Sequence, residues 1–456
     1  MSKDSITTVA AVVLAAGQGT RMKSDVPKVL HPLAGRPMLA QLLATVEALG
    51  VDRRIVVVSP DNGEAIQAAV SGIEVAVQDP PLGTGHAMMA AWTNLSDFTG
   101  DVLMLFADSP LVSVETLDAM LAARRGAADP AVVVMGFKPE NTAEYGRLVV
   151  DGNGDLERIV EHRDASPAEH EITMCNSGFM AIDGAVLGQL LDGLGNDNAK
   201  GEYYLTDIVE IANSLGRTCT VVEGGEIEAL GINSRDQLAQ AEAVVQNRLR
   251  HAAMAAGVTL LDPESVYFCH DSILGRDVTI QPHVYFGPGV TVADNVTINA
   301  FSHLEGCRIA SGANIGPFAR LRPEAEIGKD VRIGNFVEVK KASIEDGAKV
   351  NHLAYIGDAR VGAGANIGAG TITCNYDGFL KSFTDIGKGA FIGSNTALVA
   401  PVKVGDGAIV GAGSTVTHEV TADALAVERS EQWEKEGYAV GFRKRKAAEK
   451  AALKKK

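Results

Sequence analysis

Residues 273–304 read ILGRDVTIQPHVYFGPGVTVADNVTINAFSHL, and this stretch decides the fold of the second half of the chain. A large apolar side chain recurs there at every sixth position: Leu274, Ile280, Phe286, Val292, Ile298 and Leu304. Neither the period of a helix nor the alternation of a simple strand requires such spacing. A parallel β-helix does, because each repeat supplies one short face and one inward side chain. The stretch therefore predicts a β-helix of hexapeptide repeats.

The six-residue period continues towards the C-terminus. Two more long registers follow, at Ile309, Ile315, Leu321, Ile327, Ile333 and Val339, and at Ile386, Ile392, Leu398, Val404, Val410 and Val416. Shorter registers lie between them, at Ile344, Val350 and Ile356, and at Val361 and Ile367. Gly, Ala, Asn and Asp fill the remaining positions, because corners between faces need small residues or positive φ. Residues 375–383 break the period, so we expect a loop that leaves the coil.

In the first half, short apolar runs alternate with helix-like segments. The runs span 9–14, 55–58, 102–106 and 132–136, and Pro37 opens a helix over 38–49 that Gly50 closes. This alternation predicts a parallel sheet covered by helices, with ligands beyond the carboxyl ends of the strands. The loops after Leu14 and Phe106 should therefore meet at one crevice.

One amphipathic helix separates the two patterns. It begins at Asn233, ends at Gly257 and carries one apolar face: Leu238, Ala241, Val245, Leu249 and Ala252. We therefore expect a first domain over 1–232, a linker helix over 233–262, a β-helix over 263–420 and a C-terminal segment with a solvated basic tail over 421–456.

Composition limits the classes of function. The chain of 456 residues exceeds a single core and is 46% hydrophobic, so it is a globular protein of more than one domain. A formal net charge of -16 argues against nucleic-acid and membrane partners, which need a basic surface. The apolar run at 9–16 is short enough to be a buried first strand, which predicts a cytoplasmic protein. The cysteines are odd in number and scattered, so we expect free thiols: Cys175, Cys219, Cys269, Cys307 and Cys374.

The first strand runs into LAAGQGTRM at 14–22, and Pro27 and Lys28 follow. Glycines allow backbone N–H groups to approach phosphate, while Arg21 and Lys28 supply positive charge. The string is neither a dinucleotide fingerprint nor a P-loop. It resembles the signature of sugar-phosphate nucleotidyltransferases. The resemblance implies catalytic roles for Arg21 and Lys28, and a nucleotide-binding loop made of Leu14, Ala15, Ala16, Gly17 and Lys28.

Further segments resemble that family in the same order. Gln78 and LGTGHA at 82–87, with Gly83 and Thr84, are similar to its base-reading loop, which selects uracil in one branch. Asp108 ends a buried strand, where a bare carboxylate needs a cation. The resemblance implies that Asp108 and Asn233 hold Mg²⁺, although Ala107 stands where the family more often has Gly. It places the sugar at Gly146, Glu161 and Asn176.

Within the repeats, polar side chains gather where a structural coil does not need them. Arg322 and Lys340 fall beside inward aliphatics of adjacent coils, so we expect one anion-binding patch. N-acetylation of an amino sugar needs a base that titrates near ~6.5, and His352 is the candidate, although a lone His is more often structural.

Two stretches, GNFVEVKK at 334–341 and GAGTITCNYDG at 368–378, complete a resemblance over nearly the whole chain. The chain resembles the bifunctional N-acetylglucosamine-1-phosphate uridyltransferases and glucosamine-1-phosphate acetyltransferases of bacterial cell-wall precursor synthesis. The resemblance implies a Rossmann-like nucleotidyltransferase domain and a left-handed parallel β-helix, assembled as a homotrimer with acetyltransferase sites between subunits. His352 becomes the general base, and the sugar phosphate is held by Arg322, Lys340, Tyr355 and Asn366. The resemblance also implies that acetyl-CoA, the acetyl donor, is bound near Ala369, Asn375, Tyr376, Ser394, Ala412 and Arg429. UTP is the implied donor of the uridylyl group.

Two other functions stay open at this point. One is an adenylyl- or thymidylyltransferase with a regulatory β-helix, which should lack the cluster of Lys340, His352 and Tyr355. The other is a non-catalytic assembly subunit, which should have lost Arg21, Lys28 or Asp108. All of these residues are present.

Overall fold

The computed structural model describes residues 8–70, 72–142, 145–198 and 200–454. Lys455 and Lys456, the end of the basic tail, lie outside them. The chain forms two compact units. The first runs through His251 and includes Phe268–His270, and the second holds Ala252–Tyr267 and the chain from Asp271 onward.

The first unit is built on a nine-stranded sheet with the central order β11-β7-β10-β6-β1-β4-β5, while β8 and β9 pair at its side and β2 pairs with β3 separately. Its strands are β1 Val9–Leu14, β2 Pro32–Leu33, β3 Arg36–Pro37, β4 Arg53–Val58, β5 Glu74–Val77, β6 Asp101–Phe106, β7 Val132–Phe137, β8 Arg147–Val150, β9 Leu156–Val160, β10 Cys175–Asp183 and β11 Cys219–Glu223.

Helices cover both faces of this sheet: α1 Met38–Ala48, α2 Gly63–Ala69, α3 Thr84–Trp92, α4 Val114–Arg124, α5 Pro167–His170, α6 Gly184–Asp192, α7 Ile208–Ser214 and α8 Arg235–Ala255. Ala10 and Val12 belong to one buried apolar cluster, and Ala11 and Val13 belong to a second. Successive side chains of a strand point to opposite faces. A run with both faces covered is therefore continuously apolar, and the predicted α/β layers are confirmed.

The prediction of a purely parallel sheet is wrong for β10, which runs antiparallel to both β6 and β7. The chain reaches β10 through β8 and β9, which form an antiparallel hairpin. A hairpin reverses the chain without the crossover that a parallel neighbour requires. The hairpin turns at residues 151–155, where Asp151 N donates to Asp155 O at 2.9 Å. The sequence of this turn, DGNGD, is the local signal for the hairpin.

The second unit is a parallel β-helix, in agreement with the left-handed coil that hexapeptide repeats form. One face is a sheet of ten strands, and a sheet of fourteen strands supplies the other two faces. The strands are β12 Thr259–Leu260, β13 Ile273–Leu274, β14 Thr279–Ile280, β15 Tyr285–Phe286, β16 Thr291–Val292, β17 Thr297–Ile298, β18 His303–Leu304, β19 Cys307–Ile309, β20 Asn314–Ile315, β21 Arg320–Leu321, β22 Ala325–Ile327, β23 Arg332–Asn335, β24 Glu338–Ile344, β25 Lys349–His352, β26 Tyr355–Val361, β27 Asn366–Ile367, β28 Ile372–Cys374, β29 Thr384–Ile386, β30 Phe391–Ile392, β31 Ala397–Val399, β32 Val402–Val404, β33 Ile409–Val410, β34 Thr415–Val416 and β35 Leu425–Ala426.

The six-residue registers form the interior of this coil. Ile280, Ile298, Ile315 and Leu321 are fully buried, and Ile333 is nearly so. Burial of one such side chain contributes roughly 1.5–3 kcal/mol, and each coil contributes several of them. Residues 375–383 leave the coil between β28 and β29, as the broken period predicts.

The linker and the tail are helical. In α8, Ala241 and Val245 are buried, but Ala252 at the end of the predicted apolar face is exposed. The tail forms α9 Tyr438–Leu453, in which no residue is buried. Among the described residues, no helix is long and apolar enough to cross a membrane. The five cysteines are free thiols.

Two candidate active sites

The signature loop follows directly from the central strand β1. Ala15 N donates to Val57 O at 2.7 Å, which extends the sheet pairing into the loop. Gly19 has φ 62°, and a Cβ on it would lie 2.5 Å from the Cβ of Lys28. Only glycine fits this position, because a side chain would meet both strain and a clash. The glycine therefore lets the loop fold back against Lys28.

Lys28 connects the loop to two distant segments. Its Nζ donates to Asp108 Oδ2 at 2.5 Å and to Asn233 Oδ1 at 2.8 Å. Asp108 follows β6, and Asn233 precedes α8. The two oxygen atoms predicted to hold a metal thus converge on one cationic group. Carboxylate and amide oxygens are hard ligands suited to a divalent cation, so these residues fit such an ion.

A cavity of about 270 Å³ collects most of the predicted nucleotide-binding residues. Among its lining residues are Leu14, Ala15, Ala16, Gly17, Lys28, Gln78, Gly83, Thr84 and Asp108. Gln78 is buried and donates from Nε2 to Gly83 O at 2.9 Å, which fixes the base-reading loop. Gly83 has φ 96°, and a Cβ there would lie 2.6 Å from Tyr203 O.

A second, larger cavity of about 690 Å³ shares Gly83 and Thr84 with the first. Glu161 and Asn176 line it, and Asn176 N donates to Gly146 O at 2.9 Å, which holds Gly146 beside them. The three predicted sugar-binding positions therefore lie together. The sequence did not single out four further lining residues, although they stand in one polar, aromatic run: Lys200, Glu202, Tyr204 and Thr206.

Two predicted residues of this domain, Arg21 and Glu161, are in contact with solvent. Arg21 lies on a short 3-10 turn, Thr20–Met22, and is exposed outside the residues that line the two cavities. Glu161 keeps contact with solvent, yet desolvation inside the cavity raises the pKa of its carboxyl above the usual range. Lys200 opposes this shift in pKa, because its ammonium favours the charged carboxylate.

In the β-helix, His352 belongs to a column of residues at one corner of the coil. Each member directly precedes a residue of positive φ, for example Leu353 at 51° and Asn395 at 57°. Leu353 N donates to Asn335 O at 3.0 Å, and Asn395 N donates to Ala369 O at 2.7 Å, so successive coils are joined at this corner. We call this set the corner column: Asn335, His352, Ala369, Ser394 and Ala412. Coils stack about 4.8 Å apart, so the column is long enough for an extended ligand.

A cationic cluster lies on the adjoining face. Arg322 donates to Glu338 Oε1 at 2.8 Å, and Glu338 pairs in register with Tyr355 of the next coil. The pKa of Lys340 is lowered, chiefly by a hydrogen bond with Lys381 and by the positive charge of that residue, and further by desolvation and by the charge of Arg322. Mutual repulsion of these cations favours an anion between them. The repeat pattern does not predict a role for Lys381, because this residue enters from the 375–383 loop.

The remaining predicted residues lie on later coils, on the 375–383 loop and in the C-terminal segment. Asn366 lies on β27, and Asn375 donates to the buried Asp358 at 2.5 Å. Tyr376 is exposed on the loop, and Arg429 donates to Ala412 O at 2.6 Å. Burial raises the pKa of the Cys374 thiol, which disfavours the thiolate that a covalent route would need.

The fold and the two sites define a class: a transferase with a nucleotide-binding α/β domain and a hexapeptide-repeat acyltransferase domain. Residues 11–162 match the MobA-like NTP transferase domain family. Residues 306–341 and 383–418 match the bacterial transferase hexapeptide family.

Relatives that match nearly the whole chain identify the family within this class of transferases. A bifunctional protein GlmU of Paramagnetospirillum magneticum is 62% identical over 97% of this chain and 98% of its own length. Those of Rhodospirillum rubrum and Sphingopyxis alaskensis are 57% and 56% identical, over 96% and 97% of this chain and 98% of each relative. The chain belongs to the GlmU family.

It is accordingly a bifunctional enzyme of cell-wall precursor synthesis, with glucosamine-1-phosphate acetyltransferase and N-acetylglucosamine-1-phosphate uridyltransferase activities. The product of acetylation is the sugar substrate of uridylyl transfer. Nucleotide substrates and a divalent metal belong to this activity.

Proposed function

We propose that residues 1–232 carry uridylyl transfer and residues 263–420 carry acetyl transfer, with 233–262 as the linker and 421–456 as an accessory C-terminal segment. The division is supported by two compact units, each with its own cluster of predicted residues. We further propose that the enzyme works in the cytoplasm, where both donors, UTP and acetyl-CoA, are made.

The nucleotide cavity carries the first half of this proposal. Leu14 to Gly17 offer backbone groups to the UTP phosphates, and Gln78, Gly83 and Thr84 contact uracil. Gly146, Glu161 and Asn176 hold the N-acetylglucosamine phosphate in the adjoining cavity. A sugar-phosphate oxygen attacks the α-phosphorus in line and pyrophosphate leaves. The protein therefore contributes positioning and charge neutralisation, for which Lys28 is buried in place and Arg21 is exposed beside the loop.

The convergence of Asp108 and Asn233 on one cationic nitrogen is the observation that supports a metal. We propose Mg²⁺ as the ion, held by these two residues and the phosphates, because Mg²⁺ typically takes only one or two protein ligands in such sites. When bound, it neutralises charge on the phosphate oxygens. With such an ion at Asp108, the Lys28 ammonium would be available to the phosphates.

The corner column carries the second half. We assign His352 as the base that takes a proton from the glucosamine amine, while Arg322, Lys340, Tyr355 and Asn366 hold the sugar phosphate. Acetyl-CoA lies along the column, near Ala369, Asn375, Tyr376, Ser394, Ala412 and Arg429. The amine nitrogen forms a bond to the acetyl carbon, the C–S bond breaks, and the thiolate takes the proton from the imidazolium.

We also propose a homotrimer, with each acetyltransferase site completed by a second subunit. An exposed stack of rings occupies the corner of the coils that precede His352. Ring centroids of Phe301 and Phe318 are 4.9 Å apart, and those of Phe318 and Phe336 are 5.2 Å apart. These three rings are about half exposed, at 51%, 45% and 55%. With His283, we call them the aromatic ladder. Contiguous apolar surface of this kind is typical of a protein interface.

A coupled assay on the purified full chain tests both halves. With glucosamine-1-phosphate, acetyl-CoA, UTP and Mg²⁺, we expect thiol release followed by pyrophosphate release. Without acetyl-CoA, pyrophosphate release should stop unless N-acetylglucosamine-1-phosphate is supplied. Thiol release alone, or preference for ATP or dTTP over UTP, would contradict the nucleotidyl half. Pyrophosphate release alone would contradict the acetyl half.

A further inference from the structure

A close contact at the start of the corner column is not used by the chemistry above. His352 Nδ1 lies 2.6 Å from Asn335 Oδ1. The two residues are register partners in adjacent coils, on β25 and β23. Backbone pairing of the strands therefore fixes their spacing. Both also line one open cleft of about 510 Å³.

The contact determines which nitrogen of the imidazole carries the proton. An amide oxygen is only an acceptor, so a hydrogen bond to it requires a proton on Nδ1. In a neutral imidazole, the lone pair must then reside on Nε2. The ring is held with Nε2 directed away from Asn335 and available as a base.

We propose that Asn335 is a positioning residue for His352: its Oδ1 accepts the Nδ1 proton and keeps the Nε2 lone pair ready for the glucosamine amine. This inference rests on the proposed role of His352 as base. The proton from the amine moves to Nε2, and the same nitrogen returns it to the sulfur of the leaving thiolate. Asn335 holds the ring through both transfers and exchanges no proton itself.

A neutral partner has a specific consequence. A carboxylate at this position would also orient the ring, but it would favour the imidazolium and so reduce the free base near neutral pH. An amide orients the ring without that charge. Other charged groups that face the pair are few among the described residues: Arg332 on β23, Lys349 on β25, and Asp330 in the same cleft. No charged residue lies on β27, the other neighbour of β25.

The test compares acetyl transfer and uridylyl transfer of the full chain across a range of pH. For Asn335→Ala, we expect kcat for acetyl transfer to fall about 10–100-fold, as for other groups that orient a functional imidazole. Uridylyl transfer should be unchanged, which reports that the chain is folded. Asn335→Asp should recover much of the rate at alkaline pH and move the acid limb of the pH profile to higher pH.

Asn299→Ala is the matched control. Asn299 follows β17 on the same face, three coils before His352 and outside the residues that line the cleft, and its Nδ2 donates to Ile315 O. It should behave as the unsubstituted chain in both reactions. Nitrogen-15 spectra of labelled protein, with the His352 signals assigned by their loss in His352→Ala, should show a protonated Nδ1 and a lone pair on Nε2.

The outcomes separate this inference from the proposed function. If His352→Ala keeps normal acetyl transfer, the role of His352 fails and the inference falls with it. If His352→Ala is inactive while Asn335→Ala keeps a normal rate and pH profile, only the role of Asn335 is overturned. An unmoved acid limb in Asn335→Asp, or the opposite tautomer in the spectra, also overturns it.

Discussion

Lys28 and Asp108 are 80 residues apart in sequence, yet the Nζ of the first lies 2.5 Å from Oδ2 of the second. The contact joins the signature loop after β1 to the end of β6, the two neighbouring strands at the centre of the sheet. Open α/β sheets bind ligands at this edge, because loops from adjacent parallel strands meet there. The pair therefore brings a buried cation and a carboxylate suited to a divalent ion to the place where phosphate charge must be neutralised.

Removal of the Asp108 carboxylate should abolish uridylyl transfer. We expect Asp108→Ala to lower kcat for pyrophosphate release by about 100-fold or more, because a preorganised charge at the reacting phosphates is lost. Acetyl transfer on the same chain should be retained. Asp118→Ala, at an exposed position on α4, should leave both rates unchanged. Normal pyrophosphate release by Asp108→Ala would remove Asp108 from the proposed metal site.

Uridylyl transfer should weaken at mildly acid pH because of Glu161. Its pKa is raised by desolvation, so the carboxyl protonates at a higher pH than an ordinary Glu and then no longer accepts hydrogen bonds from the sugar. The activity is present above that pKa and lost as pH falls through it. Profiles of kcat/KM against pH, at saturating UTP, should show this limb.

Two substitutions identify the group responsible for the acid limb. Glu161→Gln should lower kcat/KM for the sugar phosphate and flatten the limb, while Glu157→Gln, on the β9 strand that ends directly before Glu161, should preserve it. Lys200→Met should move the limb to still higher pH, because the Lys200 ammonium lowers the pKa of Glu161. A limb that survives in Glu161→Gln would assign it to another group.

His352→Ala should separate the two activities in the opposite direction. Loss of a general base lowers acetyl transfer by about 10²–10⁴-fold, and uridylyl transfer should remain. His418→Ala, an exposed histidine later in the β-helix, serves as the control. Thiol release by His352→Ala at nearly the normal rate would exclude this residue as the base.

The aromatic ladder offers a test of assembly. Phe318 has φ 58°, a conformation that Asn tolerates, so Phe318→Asn removes the ring with little backbone strain. We expect a trimer for the unsubstituted chain by light scattering and a shift towards monomer for this variant, with a loss of acetyl transfer. Leu215→Asn, at a half-exposed position in the first unit, should leave the mass unchanged. A monomeric unsubstituted chain with full acetyl transfer would contradict the proposed interface.

Features that depend on a few neighbouring residues could be predicted from the sequence, whereas features that depend on distant segments could not. The inward residues of the coil were predicted because burial of Ile298 or Ile333 depends on its place within a single repeat. The antiparallel course of β10 was missed, because it follows from the β8–β9 hairpin and not from the apolar pattern of β10 itself. The contact of Lys381 with Lys340 was missed for a related reason, since a loop outside the period carries Lys381 to the cluster.

By itself, the sequence determined the repeating interior of the β-helix, the apolar strands of the sheet, and the glycine loop that Lys28 closes. Each depends on spacing along a few residues, since local period selects which side chains are buried. Only the tertiary structure decided which polar groups meet. Lys28 reaches Asn233 across 205 residues through the order of the strands, and Asn335 reaches His352 through the stacking of coils. Such convergence depends on how whole elements pack, which no local pattern specifies.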